Sequence, residues 1–300
     1  MSSAHKHGLP LSHLALALAV MAVWGSNFVV IKVALHHLQP LLLAALRFTF
    51  VFFPLAFFLK RPAVSWANLA GYGLFIGVGQ FGLLFIAMRQ DITPGLASLV
   101  VQVQVFFTIG FSMRLTGERI HGFQLVALLL AVAGLGVIAT HAEGSATPLG
   151  LLLVIGAAMG WAGGNVLSRA AGQVNMLSYV VWASLFAVPP LFLLSWLFEG
   201  WQAMATGLRE ANALTWMAVL WQSVGNTMFG YAAWGWLLAR HPAATVTPMA
   251  LLVPVFGIGA SALLLGEPLP TWKLTAAALV MLGLATGLLW PRIVARRACS

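Results

Sequence analysis

Charge is what this chain has least of. Only 7% of its 300 residues are charged, with 6 Asp and Glu against 15 Lys and Arg, whereas soluble domains carry roughly 25%. Water is therefore not the solvent for most of the surface. The excess of base, a formal +9, is scattered singly between apolar runs. No basic stripe carries stacking aromatics, which excludes a nucleic-acid partner. A single cysteine, Cys299, excludes an intramolecular disulfide. No acid falls at the middle of an apolar run, unlike proton relays built from intramembrane carboxylates. No GxxxxGK[ST] stretch is present to cradle a nucleotide. His13 and His37 lie toward the ends of apolar runs, and no His/Asp/Glu pair at metal spacing lies within one, so neither metal nor cofactor is expected. A membrane-embedded enzyme would need an intramembrane nucleophile, acid/base pair or metal set, and none is visible.

What the chain has is long apolar runs, 61% hydrophobic residues and a mean hydropathy of +0.96. A membrane span needs about 20 mostly apolar residues. By that rule ten are predicted: Ser12–Leu35, Leu41–Lys60, Leu69–Arg89, Pro94–Leu115, Phe123–Ala139, Leu149–Ala170, Ser178–Phe198, Leu214–Ala239, Pro242–Leu265 and Trp272–Trp290. Unbroken runs of this length suit helices; a barrel would show short alternating strands. Lys6 before an apolar run suggests a secretory signal, but the run continues to Leu35 without a small-residue cleavage site, so the first helix is expected to be retained.

The stretch Phe107–Glu118, FTIGFSMRLTGE, returns as Phe256–Glu267, FGIGASALLLGE, at an offset of 149. Downstream, Ala127 then aligns with Ala276, Leu130 with Leu279 and Gly134 with Gly283. The chain therefore reads as two related halves, 1–146 and 147–300, joined near Gly144–Thr147. Basic residues favour the face carrying Lys60, Arg61, Arg114, Arg169 and Arg240 two to one, which puts both termini in the cytoplasm. Five helices per half is an odd number, so the second half is expected to enter from the opposite face as an inverted repeat.

Local punctuation adds detail. Thr93-Pro94 and His241-Pro242 read as helix starts, and Ala203–Arg209 as a short surface helix in the long outer loop. Gly156, Gly160 and Gly164 on one span, and Gly73 and Gly77 on another, predict close helix crossings. Trp66, Trp196, Trp201, Trp216, Trp272 and Trp290 suit interfacial anchoring.

With these motifs in view, the chain resembles the drug/metabolite transporter superfamily, specifically its EamA family. The first-helix signatures are Trp24-Gly25-Ser26-Asn27 and Trp161-Ala162-Gly163-Gly164-Asn165. The fourth-helix signatures are Leu115-Thr116-Gly117-Glu118 and Leu264-Leu265-Gly266-Glu267. The resemblance covers nearly the whole chain. It implies a ten-helix secondary carrier exporting amino acids or related metabolites across the bacterial inner membrane, closest in look to the aromatic amino-acid exporters. One departure is visible: the family's fourth-helix proline stands at Pro254 but is replaced by Val105.

Polar residues in hydrocarbon are expensive and hence informative. The candidate substrate-binding set is Trp24, Asn27, Gln80, Phe85, Gln102, Trp161, Asn165, Asn226 and Tyr231, lining a cavity among the first, third, fourth, sixth, eighth and ninth spans. Indole beside carboxamide suits an amphipathic zwitterion; the alternative is that the amides only join helices. Gln222, Phe81 and Trp234 are further candidates. Gln102 and Gln104 point to different faces of an α-helix, so only one is expected to be central. Pro248 and Pro254 mark a kink and a candidate hinge. Lys32 and Arg47 are expected to snorkel to the headgroups, the alternative being that one attracts a substrate carboxylate. Glu118 and Glu267 are expected to cap helix ends. The partners implied are a small-molecule substrate and the lipid bilayer.

Overall fold

The computed structural model describes residues 9–116, 122–141, 143–241 and 243–298. Lys6, Gly117, Glu118, Arg119, Pro242 and Cys299 lie outside the described residues. The described chain is helical, with one isolated bridge between Ile92 and Ala146. The helices are α1 (Leu11–Ala34), α2 (Pro40–Ala56), α3 (Trp66–Gln90), α4 (94–116), α5 (Gly122–His141), α6 (Pro148–Ala170), α7 (Met176–Glu199), a short α8 (Trp201–Glu210), α9 (213–240), α10 (243–265) and α11 (Thr271–Ala298).

Among the described residues, seven helices are long and apolar enough to cross a membrane: α1, α3, α4, α5, α6, α7 and the Pro248–Leu265 part of α10. Pro40–Ala56 and Thr271–Gly287 are shorter apolar helices. Helix α9 covers the remaining predicted run, but its middle turns are π-helical from Trp221 to Phe229. The chain is thus a multi-pass membrane protein. The surface helix expected at Ala203–Arg209 is α8, half a turn longer at its start.

Helices that are apolar all round gain little from burying one face against another in lipid, so close fit and small residues must join them. The glycines do this. A Cβ built on Gly160 of α6 would stand 2.7 Å from the Gly79 carbonyl carbon and 2.8 Å from the Gln80 nitrogen of α3. One on Gly25 of α1 would stand 2.7 Å from the Val253 oxygen of α10. At the α5–α11 crossing, a Cβ on Gly134 would sit 3.0 Å from the Ala276 oxygen, and one on Gly283 2.6 Å from the Ala127 oxygen. The second pair is the first shifted by 149 residues with the helices exchanged.

Departures from α geometry occur in two matching pairs, besides a five-residue π-helical end of α7 at Ser195–Glu199. Nine residues are π-helical in α3 (Leu74–Gly82) and nine in α9 (Trp221–Phe229). Short 3-10 turns interrupt α4 at Val101–Val103 and α10 at Thr247–Leu251. The α10 turn contains Pro248, as the predicted kink requires, but α4 breaks without a proline. Pro254 sits buried within regular helix three residues beyond the turn.

The crossings give a direct test. Gly160→Leu would drive a side chain into the α3 backbone, and overpacking costs about 1–3 kcal/mol. At Gly136 on α5, by contrast, an added Cβ meets nothing within 4 Å, so Gly136→Leu enters open space. In detergent, the first is expected to lower the melting temperature by several degrees and the second to leave it unchanged.

Candidate substrate cavity

A cavity of about 390 Å³ lies between α1, α3, α4, α6, α9 and α10. Its wall includes Trp24 and Asn27 of α1, Gln80 of α3, Gln102 of α4, Trp161 and Asn165 of α6, and Asn226 and Tyr231 of α9. Phe85 does not reach it: the ring is fully buried and packs edge-on against Phe81, which does line the cavity. Phe85 lies one turn past Phe81, where α3 has returned to α-helix and faces the core.

The local geometry explains the convergence. Gln102 and Gln104 both line the cavity, contrary to the expectation for a regular helix, because the 3-10 turn at Val101–Val103 changes the angle between them. Gln80 and Asn226 both stand in π-helical segments, whose wider turns are common at functional sites. Gln104 accepts hydrogen bonds from Asn165 Nδ2 (2.8 Å) and Thr108 Oγ1 (3.2 Å), so Asn165 both lines the cavity and joins α6 to α4. Trp24 donates from Nε1 to the Asn226 carbonyl at 3.0 Å, and its ring lies 5.8 Å from Tyr231 and 5.5 Å from Trp234. Gln222, a further candidate, is buried away from the cavity, with both side-chain polar atoms unpaired. Asn27 Oδ1 and Gln80 Oε1 are likewise buried acceptors without a partner among the described residues. Aromatic faces and unsatisfied amides on one wall can hold an amphipathic molecule. The described residues contain no His/Cys/Asp/Glu cluster fit for a metal.

The EamA-like transporter family model matches residues 11–140 and again 148–288. The chain belongs to that family. A protein of Salmonella typhimurium, described as a "Probable amino-acid metabolite efflux pump", is 42% identical over 90% of this chain and 92% of its own. A protein of Escherichia coli K12 with the same description is 40% identical over 93% and 96%. A solved crystal structure, 20% identical, superposes over 94% of this chain and 98% of its own with a TM-score of 0.62, which supports the fold.

In this EamA-like protein the cavity is closed at one end and open at the other. It runs from Ile31 and Leu84, 1% and 2% exposed, to Ser168, Met176 and Leu238, the last 36% exposed. Beyond Ile31 and Leu84 the loops are bound together. Glu199 accepts from the Leu41 and Leu42 nitrogens at 2.6 and 3.1 Å, capping α2. Glu267 accepts from the Gly95 nitrogen (3.0 Å), Lys273 Nζ (2.9 Å) and the Thr93 hydroxyl, capping α4 from the end of α10. Thr93 therefore opens α4 as predicted, but it donates to Glu267 instead of capping with its own oxygen. Asp91 accepts from Thr147, and Thr215 bonds His37. At the open end the described contacts are fewer; His13 and His241 bond at 2.7 Å, and Arg169 reaches Ser112.

Neither predicted snorkelling residue snorkels. Lys32 donates to the Met88 and Arg89 carbonyls (3.0 and 2.8 Å), neutralising the C-terminal end of α3. Arg47 is buried in the core, its guanidinium 3.7 Å from the Phe81 ring centre. Charge counting along the sequence placed both near the outer boundary but could not show that folded helix ends and rings would hold them. A larger groove, about 730 Å³, lies on the outside of α3, α4 and α6. Its wall is glycine and apolar side chains with Arg114 as the lone charge, so it lacks the polar groups a zwitterion needs.

The Glu267–Lys273 pair is buried and closes the α10–α4 joint. Glu267→Gln leaves an uncompensated ammonium, and breaking a buried pair from one side costs about 3–5 kcal/mol. The double change with Lys273→Met is expected to recover most of that loss, measured as chemical or thermal unfolding of the purified protein.

Proposed function

We propose that this chain is a secondary exporter of neutral amino acids, aromatic ones among them, or of related metabolites, working by alternating access. The observation that carries the reading is the convergence of eight chemically matched side chains, drawn from α1, α3, α4, α6 and α9, in one cavity. Its volume falls within the roughly 300–1,000 Å³ of small-molecule sites. The description of the Salmonella and E. coli relatives points to the same class of cargo.

Ten membrane helices in two inverted five-helix repeats, 1–146 and 147–300, suit this role. In support, the family model matches twice, and the Gly134–Ala276 and Gly283–Ala127 contacts exchange under the repeat. Paired π and 3-10 segments support it as well. The basic residues put the Arg169 end in the cytoplasm of a bacterial inner membrane, with both termini there. The cavity then faces the cytoplasm, where an exporter loads. Pro248 and the 3-10 turn that contains it are the hinge of α10, with Pro254 in the regular helix beyond. No midspan carboxylate is available to carry a proton, so export follows the substrate's own gradient.

Counterflow in proteoliposomes tests this. Labelled L-phenylalanine or L-leucine is expected to exchange, with little response to an imposed pH difference. Impermeability to every amino acid tried would leave a carrier of other metabolites or a non-transporting scaffold. Gln80→Leu removes an unpaired acceptor from the wall. It is expected to cut transport about tenfold, the scale of one hydrogen bond to a charged group, at unchanged folded yield. Loss of folded protein in proportion to activity would make Gln80 a packing residue.

A further inference from the structure

Among the buried charged residues described, Arg47 is the one that neither the capping network nor the cavity wall uses. It stands in α2 and is 1% exposed. Nη2 donates to Thr227 Oγ1 at 3.1 Å; Nε and Nη1 have no partner among the described residues. No acid pairs with it, since Glu267–Lys273 is the one ion pair among the described residues. The guanidinium carbon lies 3.7 Å from the centre of the Phe81 ring and 5.5 Å from that of Phe48. Cation–π attraction offsets part of the desolvation, yet two donors stay unmade. An apolar residue of similar volume would serve packing better, because replacing a poorly paired buried charge commonly stabilises a protein.

The place of this cation matters. Phe81 is also a cavity-wall residue, and Thr227 follows Asn226, a second wall residue. Tyr72 and Tyr231 also stand in the wall. Arg47 is therefore one ring's thickness behind the cavity, at a depth of about two turns, or ~10 Å, from the closed end of α2. The same wall carries Asn27 and Gln80, whose side-chain oxygens are buried and have no partner among the described residues. Free donors on a buried cation behind the wall and free acceptors in that wall complement one kind of molecule, with a carboxylate and an ammonium. Guanidinium N–H groups are strong carboxylate donors, and amide oxygens accept from ammonium.

We propose that Arg47 binds the carboxylate of the substrate, that Phe81 covers the guanidinium in the empty cavity, and that Asn27 and Gln80 receive the ammonium group. The proposal rests on the amino-acid reading above and adds the group the cargo must carry. Phe81 and Gln80 share the π-helical stretch of α3, so one local rearrangement moves the cover and the acceptor together.

The test uses four probes with one side chain: L-phenylalanine, L-phenylalaninamide, phenethylamine and 3-phenylpropionate. Binding to the purified full chain is measured by calorimetry and by ligand-induced thermal stabilisation. Wild-type protein is expected to bind the amino acid about tenfold or more tightly than the amide or the amine. Arg47→Gln is expected to lose that preference, binding the amino acid no better than the amide, and Arg47→Lys to keep part of it. The empty Arg47→Gln carrier is expected to melt no lower than wild type, which a structural arginine would not allow. Equal wild-type affinity for amino acid and amide overturns the proposal, and this comparison needs no variant to fold. An unchanged preference in Arg47→Gln overturns it too, while leaving the amino-acid reading intact. Arg47-dependent binding of 3-phenylpropionate without the amino acid would uphold the carboxylate site and sink the amino-acid reading. No binding of any probe sinks both.

Discussion

The structure depends on one constraint: in hydrocarbon, a polar group not satisfied within the protein stays unsatisfied. Nearly every polar choice in the described chain answers to it. Glu199 takes up the first free nitrogens of α2, Glu267 those of α4, and Lys32 the last carbonyls of α3. Trp24, Asn165 and Gln104 spend their hydrogen-bonding groups across helix boundaries. Against that background the few unpaired buried atoms stand out, and those of Asn27, Gln80 and Arg47 gather at or just behind a single wall. The cavity is where the fold leaves polar capacity for something that is not protein.

The same constraint separates the two ends. Hydrogen bonds and the Glu267–Lys273 pair bind the loops beyond Ile31, whereas the other end is joined by hydrogen bonds such as Asn68–Leu167, Tyr179–Asn68 and Arg169–Ser112, with no ion pair among the described residues. Opening the bound end means exchanging these contacts for water. They lie near the boundary where water is available, so the exchange is affordable. The glycine crossings in the interior offer no such exchange, since backbones already touch at Gly160 and Gly25. Rocking of joined helix groups about fixed crossings fits this distribution better than separation of individual helices.

Much of this was legible in the sequence. Composition gave the solvent, and run lengths gave helices. Inward placement of costly polar residues predicted Trp24, Asn27, Trp161 and Asn165 in one wall. What stayed hidden follows from geometry that periodicity assumes away. A 3.6-residue period separates Gln102 from Gln104, and a 3-10 turn reunites them. The π-helical stretch of α3 ends between Phe81 and Phe85, so adjacent turns face cavity and core. Arg47 was read from its distance to the boundary, and distance along a helix says nothing about which ring or hydroxyl lies beside it. The partner of Glu267 was out of reach for a similar reason: Gly95 lies 172 residues away and meets it only once the bundle forms.

The central claim is that the cavity is the transport path and that it faces the two sides of the membrane in turn. Gln102 lies deep in its wall, and Gln102→Cys in a Cys299→Ser background places one thiol there. In oriented vesicles, the account predicts that a membrane-impermeant thiol reagent modifies it from the cytoplasmic side at rest. From the outer side, modification should occur only while amino acid is being carried. Equal reactivity from both sides at rest, or no outer reactivity during active exchange, would contradict the account.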